Sequence, residues 1–179
     1  MVAQAGLFLL EALTGFLSFA LLLRFYLQAF RVSFANPVGT FVVALTNWLV
    51  RPLRKALPGL FGLDLASLLP AYLLQLVFVC AVFFLRGEAE TWPLATVLPL
   101  LLWHAVLATL RLSLYLLIGA LLLQAVLSWV SPYSPLSQPV AQLTRPFLRP
   151  IQRFVPPIGA VDLSPLIAIL LAQLLLMFL

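Results

Sequence analysis

Residues 45–85 read LTNWLVRPLRKALPGLFGLDLASLLPAYLLQLVFVCAVFFL. A basic, proline-containing segment ends at Asp64, and residues 65–85 then carry no charged side chain. A helix needs about 20 mostly apolar residues to cross a hydrocarbon core of about 30 Å. The stretch therefore predicts a membrane-spanning helix that is preceded by a basic segment at the membrane surface.

The composition of the whole chain indicates the same class. Of 179 residues, 64% are hydrophobic and 8% are charged, whereas ordinary globular domains are roughly 25% charged. This excludes a water-soluble enzyme fold and predicts an all-α membrane protein. Four apolar stretches are candidate transmembrane helices: residues 6–28, 65–85, 101–129 and 163–179. Residues 86–100 are predicted to form a short connector with an interfacial stretch.

The distribution of cations predicts the orientation. Two segments between the spans are basic: the first carries Arg31, Arg51, Arg54 and Lys55, and the second carries Arg145, Arg149 and Arg153. With four spans both segments lie on one side, which the positive-inside rule assigns to the cytoplasm. We therefore expect a multi-pass protein of the bacterial inner (plasma) membrane with both termini outside. The N-terminal stretch lacks a basic n-region and contains Glu11, so we expect it to be retained.

The two basic segments are similar to each other. Residues 45–75 align with residues 143–173 at a constant offset (149 − 51 = 98), which pairs Asp64 with Asp162. The preceding helices align at a slightly larger offset (124 − 24 = 100). The pattern predicts two tandem repeats, residues 1–85 and 101–179, each composed of a helix, a basic amphipathic Pro-rich loop and a helix. An even number of spans per repeat gives both the same orientation, related by an axis along the membrane normal.

The second repeat carries a set of short motifs, and the first repeat matches more loosely through residues 24–28, 36–37, 45–55 and 62–68. In the second repeat they are Leu127-Ser128-Trp129, Thr144, Pro146, Pro150, Arg153, Pro156-Pro157, Gly159 and Asp162-Leu163-Ser164-Pro165. With these motifs the chain resembles the YggT (YlmG) family of small membrane proteins, in its two-repeat bacterial form. The resemblance implies links to osmotic or potassium stress and to chromosome or division phenotypes, and plastid relatives assist cytochrome maturation. Arg24 is matched by Gln124, so we expect the two repeats to differ in function.

The basic loops are the principal candidate site. The residues that we expect to bind anionic phospholipids or a protein partner are Arg51, Arg54, Lys55, Arg145, Arg149 and Arg153. Phe41, Leu45 and Trp48 recur at helical spacing, which predicts an apolar face in the membrane interface beside these cations. The alternative is that the cations only anchor the topology. Pro52 and Pro150 are expected to interrupt helical hydrogen bonding and to hold each loop against the membrane.

Asp64 and Asp162 stand where each basic loop ends and an apolar helix begins. An aspartate at this position caps exposed amides and interacts favourably with the positive end of the helix. We therefore predict that both are helix caps. The alternative is an ion pair with Arg51 or Arg149 in the same repeat.

Two charges fall within predicted spans at matching positions, Glu11 and Arg111 (111 − 11 = 100). A charge near the middle of the bilayer costs at least about 2.5 kcal/mol, so such groups usually face the bundle interior and pair. We predict that Glu11 pairs with Arg111. The alternative is that both lie near the outer interface and extend into water.

Catalytic constellations are absent from the sequence. It has one histidine, His104, and one cysteine, Cys80, and no basic loop holds a pair of carboxylates. Metal, haem and nucleophilic sites therefore lack their usual residues, and we expect no cofactor and no enzymatic activity. The net charge of +5 is concentrated at the membrane surface, and no nucleic-acid binding is expected.

Two functions fit these observations. The favoured one is a non-enzymatic scaffold or assembly factor that acts through the two basic cytoplasmic loops on a membrane protein partner. The alternative is an oligomeric ion-conducting or osmotic-response protein, in which Arg24 lines a path between copies. The scaffold is favoured because four helices are too few to enclose a wide pore.

Overall fold

The computed structural model describes residues 2–57, 63–85, 93–131, 133–154 and 162–179. The described residues form an all-α protein, as predicted. Its helices are α1 (Val2–Ala29), α2 (Pro37–Ala56), α3 (Leu65–Leu85), α4 (Leu94–Val130), α5 (Ser137–Phe154) and α6 (Ser164–Phe178).

In the described part of the chain, three helices are long and apolar enough to cross a membrane. The apolar parts are Gln4–Ala29 in α1, Leu65–Leu85 in α3 and Ala95–Ser128 in α4. The fourth predicted span corresponds to α6, which has 15 residues and a length of about 22 Å at 1.5 Å per residue. It is therefore shorter than the hydrocarbon core of about 30 Å.

Helix α4 is longer than the span predicted from the sequence. It begins at Leu94 and contains 37 residues, so it includes the end of the segment 86–100 that was expected to be a connector. Residues 86–92 lie outside the described part of the chain. Pro99 is inside the helix and is exposed.

The two basic segments form helices, and the prediction of proline-broken loops was wrong for their described parts. Pro52 lies inside α2, and α5 contains two prolines. The side chains of Val42, Thr46 and Val50, which recur every four residues, are at most 1% exposed. Burial of this face stabilises the helix despite the lost proline hydrogen bond, and Pro52 points to the exposed side. Pro58 and the Pro156-Pro157 pair lie outside the described residues.

The turn from α1 into α2 is defined by backbone hydrogen bonds. Arg31 has φ 56°, and its amide donates to the carbonyl of Gln28 at 3.0 Å. The amide of Val32 donates to the carbonyl of Leu27 at 2.8 Å, which completes a Schellman motif. Both Leu27 and Val32 are buried. The side chain of Asn36 then accepts from the amide of Gly39 at 2.9 Å and caps α2.

The first half of the bundle has the larger core. Its central cluster contains Leu21, Leu22 and Ala71, and Leu116 and Leu143 from the second half join it. The hydroxyl of Ser18 on α1 donates to the carbonyl of Ala71 on α3 at 3.2 Å, as expected where small residues let two helices approach. The separate cluster of α4, α5 and α6 has three fully buried members: Leu121, Leu148 and Ala168. The second half is thus less completely packed.

Candidate functional site

Arg24 on α1 lies inside the protein, with 4% of its surface exposed. Its Nη1 donates to Oγ1 of Thr46 on α2 at 2.8 Å, and this hydroxyl donates to the carbonyl of Val42 at 2.6 Å. Nε of Arg24 is buried without a hydrogen-bond partner among the described residues. Arg24 therefore joins α2 to α1, and it does not face outward as a residue lining a path between copies would.

Arg54 and Asp64 form an ion pair between α2 and the start of α3. Nη2 of Arg54 lies 2.5 Å from Oδ2 of Asp64, and Nε lies 3.2 Å from Oδ1. Oδ2 also accepts from the hydroxyl of Ser67 at 2.7 Å. Nη2 of Arg54 donates to Oε1 of Gln28 on α1 at 2.7 Å. The polar cluster, defined as Arg24, Gln28, Thr46, Arg54, Asp64 and Ser67, thus connects three helices.

Asp64 is 3% exposed yet stays ionised. Burial raises the pKa of this carboxyl group, but hydrogen bonds from Arg54 and Ser67 lower it, and so do the charges of Arg54 and Arg24. The net result is a pKa below the ordinary value. The two guanidinium groups therefore compensate for the loss of water around the carboxylate.

The structure corrects the predicted partner of Asp64. The ion pair is made by Arg54, whereas Arg51 is exposed on α2. Positions three apart on a helix differ by about 60° around its axis, and in α2 only the side chain of Arg54 reaches Asp64 at the start of α3. Asp64 directly precedes α3, and its backbone carbonyl accepts from the amides of Ser67 and Leu68. Its carboxylate bonds the hydroxyl of Ser67 and the guanidinium of Arg54. It accepts from no backbone amide of the described residues, so the side-chain cap predicted for Asp64 is not formed there.

The matching positions of the second half make similar contacts without buried cations. The hydroxyl of Thr144 donates to Oε1 of Gln124, where the first half has Thr46 and Arg24. Nε2 of Gln152 donates to Oδ2 of Asp162 at 3.0 Å. Glutamine thus stands at the positions of both Arg24 and Arg54.

Asp162 is exposed and has the geometry of a helix cap. Its Oδ1 accepts from the backbone amide of Ser164 at 2.9 Å, at the start of α6. Burial raises the pKa of Asp162, but hydrogen bonds from Ser164 and Gln152 outweigh it and hold the pKa below its ordinary value. Arg149 does not contact this carboxylate within 4.0 Å, so the predicted alternative ion pair is absent.

The remaining predicted cations lie on the outside of α2 and α5. We define the basic surface by five exposed side chains: Arg51, Lys55, Arg145, Arg149 and Arg153. Among the described residues the ion pair of Arg54 with Asp64 is the only one, so these five have no carboxylate partner there. Phe41 and Trp48 are 60% and 65% exposed on α2, and they lie on the same side of the helix as Lys55. This arrangement has the aromatic and cationic character of an interfacial helix.

Glu11 and Arg111 do not pair in this chain, and that prediction was wrong. Arg111 donates to the carbonyl oxygen of Leu179 at the end of α6, and both charged residues are exposed. Glu11 lies about 27 Å along α1 from Ala29. It therefore lies toward the end of α1 that is far from α2. A cation near the carbonyl end of a helix is electrostatically favourable.

Two members of the polar cluster were not singled out from the sequence. Ser67 is three residues after Asp64, a spacing at which side chains meet in the first turn of a helix. Gln28 is near the end of an apolar helix, and its role depends on how α2 folds back. From the sequence, Arg24 was noted for the mismatch with Gln124 and as the residue of a path between copies in the alternative function. That mismatch was the available signal for the cluster.

Comparison with known proteins places the chain in a family. The family model described as CCB3/YggT matches residues 3–85 and 103–179. The chain belongs to the CCB3/YggT family. The matched ranges contain every residue of the polar cluster and of the basic surface. No solved structure matches this member of the family.

Individual CCB3/YggT relatives match over nearly the whole chain. The protein PA0392 of Pseudomonas aeruginosa is 37% identical over 172 residues, which cover 95% of this chain and 85% of that protein. YggT of Escherichia coli K12 is 38% identical over 166 residues, which cover 92% and 83%. A Haemophilus influenzae protein is 32% identical over 167 residues, which cover 93% and 86%. All three relatives are named as uncharacterised proteins, so the similarity identifies a family and not an activity.

Proposed function

We propose that the protein is a non-enzymatic scaffold or assembly factor of the bacterial inner membrane that acts through its basic surface. The observation that supports this is the exposure and the lack of ion pairing of the five cations of the basic surface. They are exposed on α2 and α5, and they have no carboxylate partner among the described residues. A cation that stabilises the fold has a carboxylate partner, as Arg54 has in the buried Asp64.

The polar cluster supports the proposal because it holds α2 in one position. Arg24 bonds Thr46 in the middle of α2, and Arg54 bonds Asp64 near its end. A binding surface on a fixed helix loses little conformational entropy when a partner binds. The glutamines of the second half make neutral contacts, so α5 is held more weakly. The two basic helices accordingly have different mobility in this proposal.

The positive charge of the basic surface indicates the chemical class of its partners. An anionic lipid headgroup contributes about 1 kcal/mol for each nearby Lys or Arg, and an acidic segment of a membrane protein partner fits the same cations. We propose that the basic surface is cytoplasmic, with four spans and both termini outside. The apolar side chains Phe41 and Trp48 then lie at the level of the lipid headgroups.

The test is to identify what is bound to the protein in its native membrane. The tagged protein and a variant with Arg145→Gln, Arg149→Gln and Arg153→Gln are extracted in lipid-preserving particles, and the bound proteins are identified by mass. We expect a discrete partner with the unchanged protein and its loss with the variant. Arg31→Gln, which changes an exposed cation outside the basic surface, is the matched control and is expected to keep the partner. A partner that the triple variant retains, or particles that hold only this chain and lipid, would contradict the proposal.

A further inference from the structure

An apolar groove runs between α4, α5 and α6. It consists of two adjoining cavities of about 430 and 470 Å³. Both are lined by Leu114, Leu117, Phe147 and Leu175. The first cavity extends to Phe178 at the end of α6. The second extends to Pro146, Pro150 and Phe154 on the basic helix α5.

The groove exists because the second half of the bundle is incompletely filled. Small side chains of α6, Ala168 and Ala172, face α4 and α5 across it. At the matching positions of α3 the first half has Pro70 and Leu74 (168 − 98, 172 − 98). Leu74 packs against the large core. A space of this size beside apolar walls requires an apolar occupant in a membrane, because the lining atoms otherwise lose their dispersion contacts.

We propose that the groove binds one acyl chain of an anionic phospholipid from the leaflet on the side of α2 and α5. Half of the hydrocarbon core is about 15 Å thick. The residues of α6 that line the groove run from Ala168 to Phe178, which is about 15 Å at 1.5 Å per residue, so the groove matches the length of a chain of one leaflet. The lining includes Ser113 and Tyr26 as its polar-capable side chains. The remaining walls are hydrocarbon, which suits an acyl chain.

The charge at one end of the groove selects the headgroup. Arg149 and Arg153 each follow a lining proline by three residues, Pro146 and Pro150 respectively, and side chains three apart are neighbours on a helix surface. Both arginines are exposed and have no ion-pair partner among the described residues. A guanidinium group binds phosphate oxygens through two parallel hydrogen bonds. An anionic headgroup therefore lies beside α5 while its acyl chain enters the groove.

This inference does not require the proposed protein partner, although it uses two arginines of the basic surface. The groove itself is built from residues that the scaffold proposal does not use. A substitution at Leu175 changes the groove and leaves the basic surface as it is. Partner capture by a Leu175 variant consequently tests the scaffold separately from the lipid site.

Native mass spectrometry of the purified protein titrated with phosphatidylglycerol or phosphatidylcholine tests the lipid site. We expect one phosphatidylglycerol to bind more tightly than phosphatidylcholine. Leu175→Trp fills the groove and should weaken binding by about tenfold. The matched control is Val77→Trp at the corresponding position of α3 (175 − 98 = 77), since Val77 and Leu175 are 53% and 54% exposed. It should bind as the unchanged protein does.

The headgroup is tested with Arg149→Gln and Arg153→Gln together, which should remove the preference for phosphatidylglycerol over phosphatidylcholine. Leu114→Trp fills the groove from the opposite wall and should repeat the effect of Leu175→Trp. Equal weakening by Val77→Trp, or equal retention of both lipids by the unchanged protein, would overturn the assignment. A dimer that Leu175→Trp dissociates would identify a second copy as the occupant and would also overturn it.

Discussion

The carboxylate of Asp64 satisfies several donors at one point. It bonds Arg54 through both oxygens and accepts from Ser67, while its charge also acts on Arg24. Removing a buried partner of a charged group costs more than the hydrogen bond itself contributes, because the remaining charge stays desolvated. Asp162 is exposed, and its hydrogen-bond partners among the described residues are the neutral groups of Gln152 and Ser164, so its loss leaves no buried charge.

We expect Asp64→Asn to lower the free energy of unfolding by about 2 kcal/mol. Asp162→Asn is the matched control and should cost less than about 1 kcal/mol, since its bonds are exposed and made to neutral groups. The unfolding free energy of the purified protein in lipid particles is the measurement. Equal losses in the two variants would mean that Arg24 and Arg54 do not depend on Asp64.

The pH dependence of the protein's stability follows from the lowered pKa of Asp64. A carboxyl group with a folded-state pKa below the unfolded value of about 3.9 contributes stability above that value. This contribution disappears as the pH falls through the folded-state pKa. The unchanged protein should therefore lose stability below about pH 4, and Asp64→Asn should show a shallower decline. The decline does not vanish, because the pKa of Asp162 is lowered as well.

At the scale of a single element, the start of α2 is fixed by a side-chain cap and by a close backbone contact. Its start is capped by Asn36, and a Cβ atom on Gly39 would lie 2.6 Å from the Cα and carbonyl oxygen of Phe34. Backbone atoms cannot move aside as the end of a flexible side chain can. Only glycine therefore permits the close approach of α2 to the turn that precedes it.

We expect Gly39→Ala to destabilise the start of α2 by about 1–3 kcal/mol. Gly15→Ala in α1 is the control, because nothing lies within 4 Å of a Cβ there, and alanine favours a helix by up to about 1 kcal/mol over glycine. The rate of trypsin cleavage after Arg54 and Lys55 in α2 reports the local effect. A Gly39→Ala protein as resistant as Gly15→Ala would show that the turn adapts.

For the whole molecule, the order of the long helices limits the topology. If α1, α3 and α4 all cross the membrane, α2 and α5 must lie on the same side, whichever way α6 runs. The exposed cations of α2 and of α5 then lie on the same side of the membrane. This conclusion uses the three helices that are long enough to cross, and the proposed orientation adds that the face is cytoplasmic.

Cysteine labelling in intact cells tests the orientation. After Cys80→Ala removes the one native cysteine, Arg51→Cys and Arg149→Cys should both be protected from a membrane-impermeant reagent until the cells are opened. Met177→Cys, at a position 84% exposed in α6, should react from outside if α6 crosses. Labelling of Arg51→Cys and Arg149→Cys from opposite sides would rule out the arrangement. Protection of Met177→Cys would mean that α6 does not cross.

Local sequence properties were sufficient to predict the long apolar helices of this protein. Hydropathy is a property of consecutive residues, so residues 65–85 could be assigned from the sequence and coincide with α3. The position of Asp64 at the start of α3 could be assigned in the same way. Hydropathy also indicated where basic segments lie, although the prolines led to a wrong prediction of loops because the buried face of α2 was not visible.

The tertiary structure alone decided which charged residues meet. Arg51 and Arg54 are close in sequence, but the rotation of α2 on α1 directs only Arg54 toward Asp64. Arg24 became a buried link to Thr46 for the same reason, and Arg111 met the end of α6 in place of Glu11. A side-chain pair depends on the angular position and spacing of two packed helices. These quantities arise from the packing of all six helices together, and no single stretch of sequence contains them.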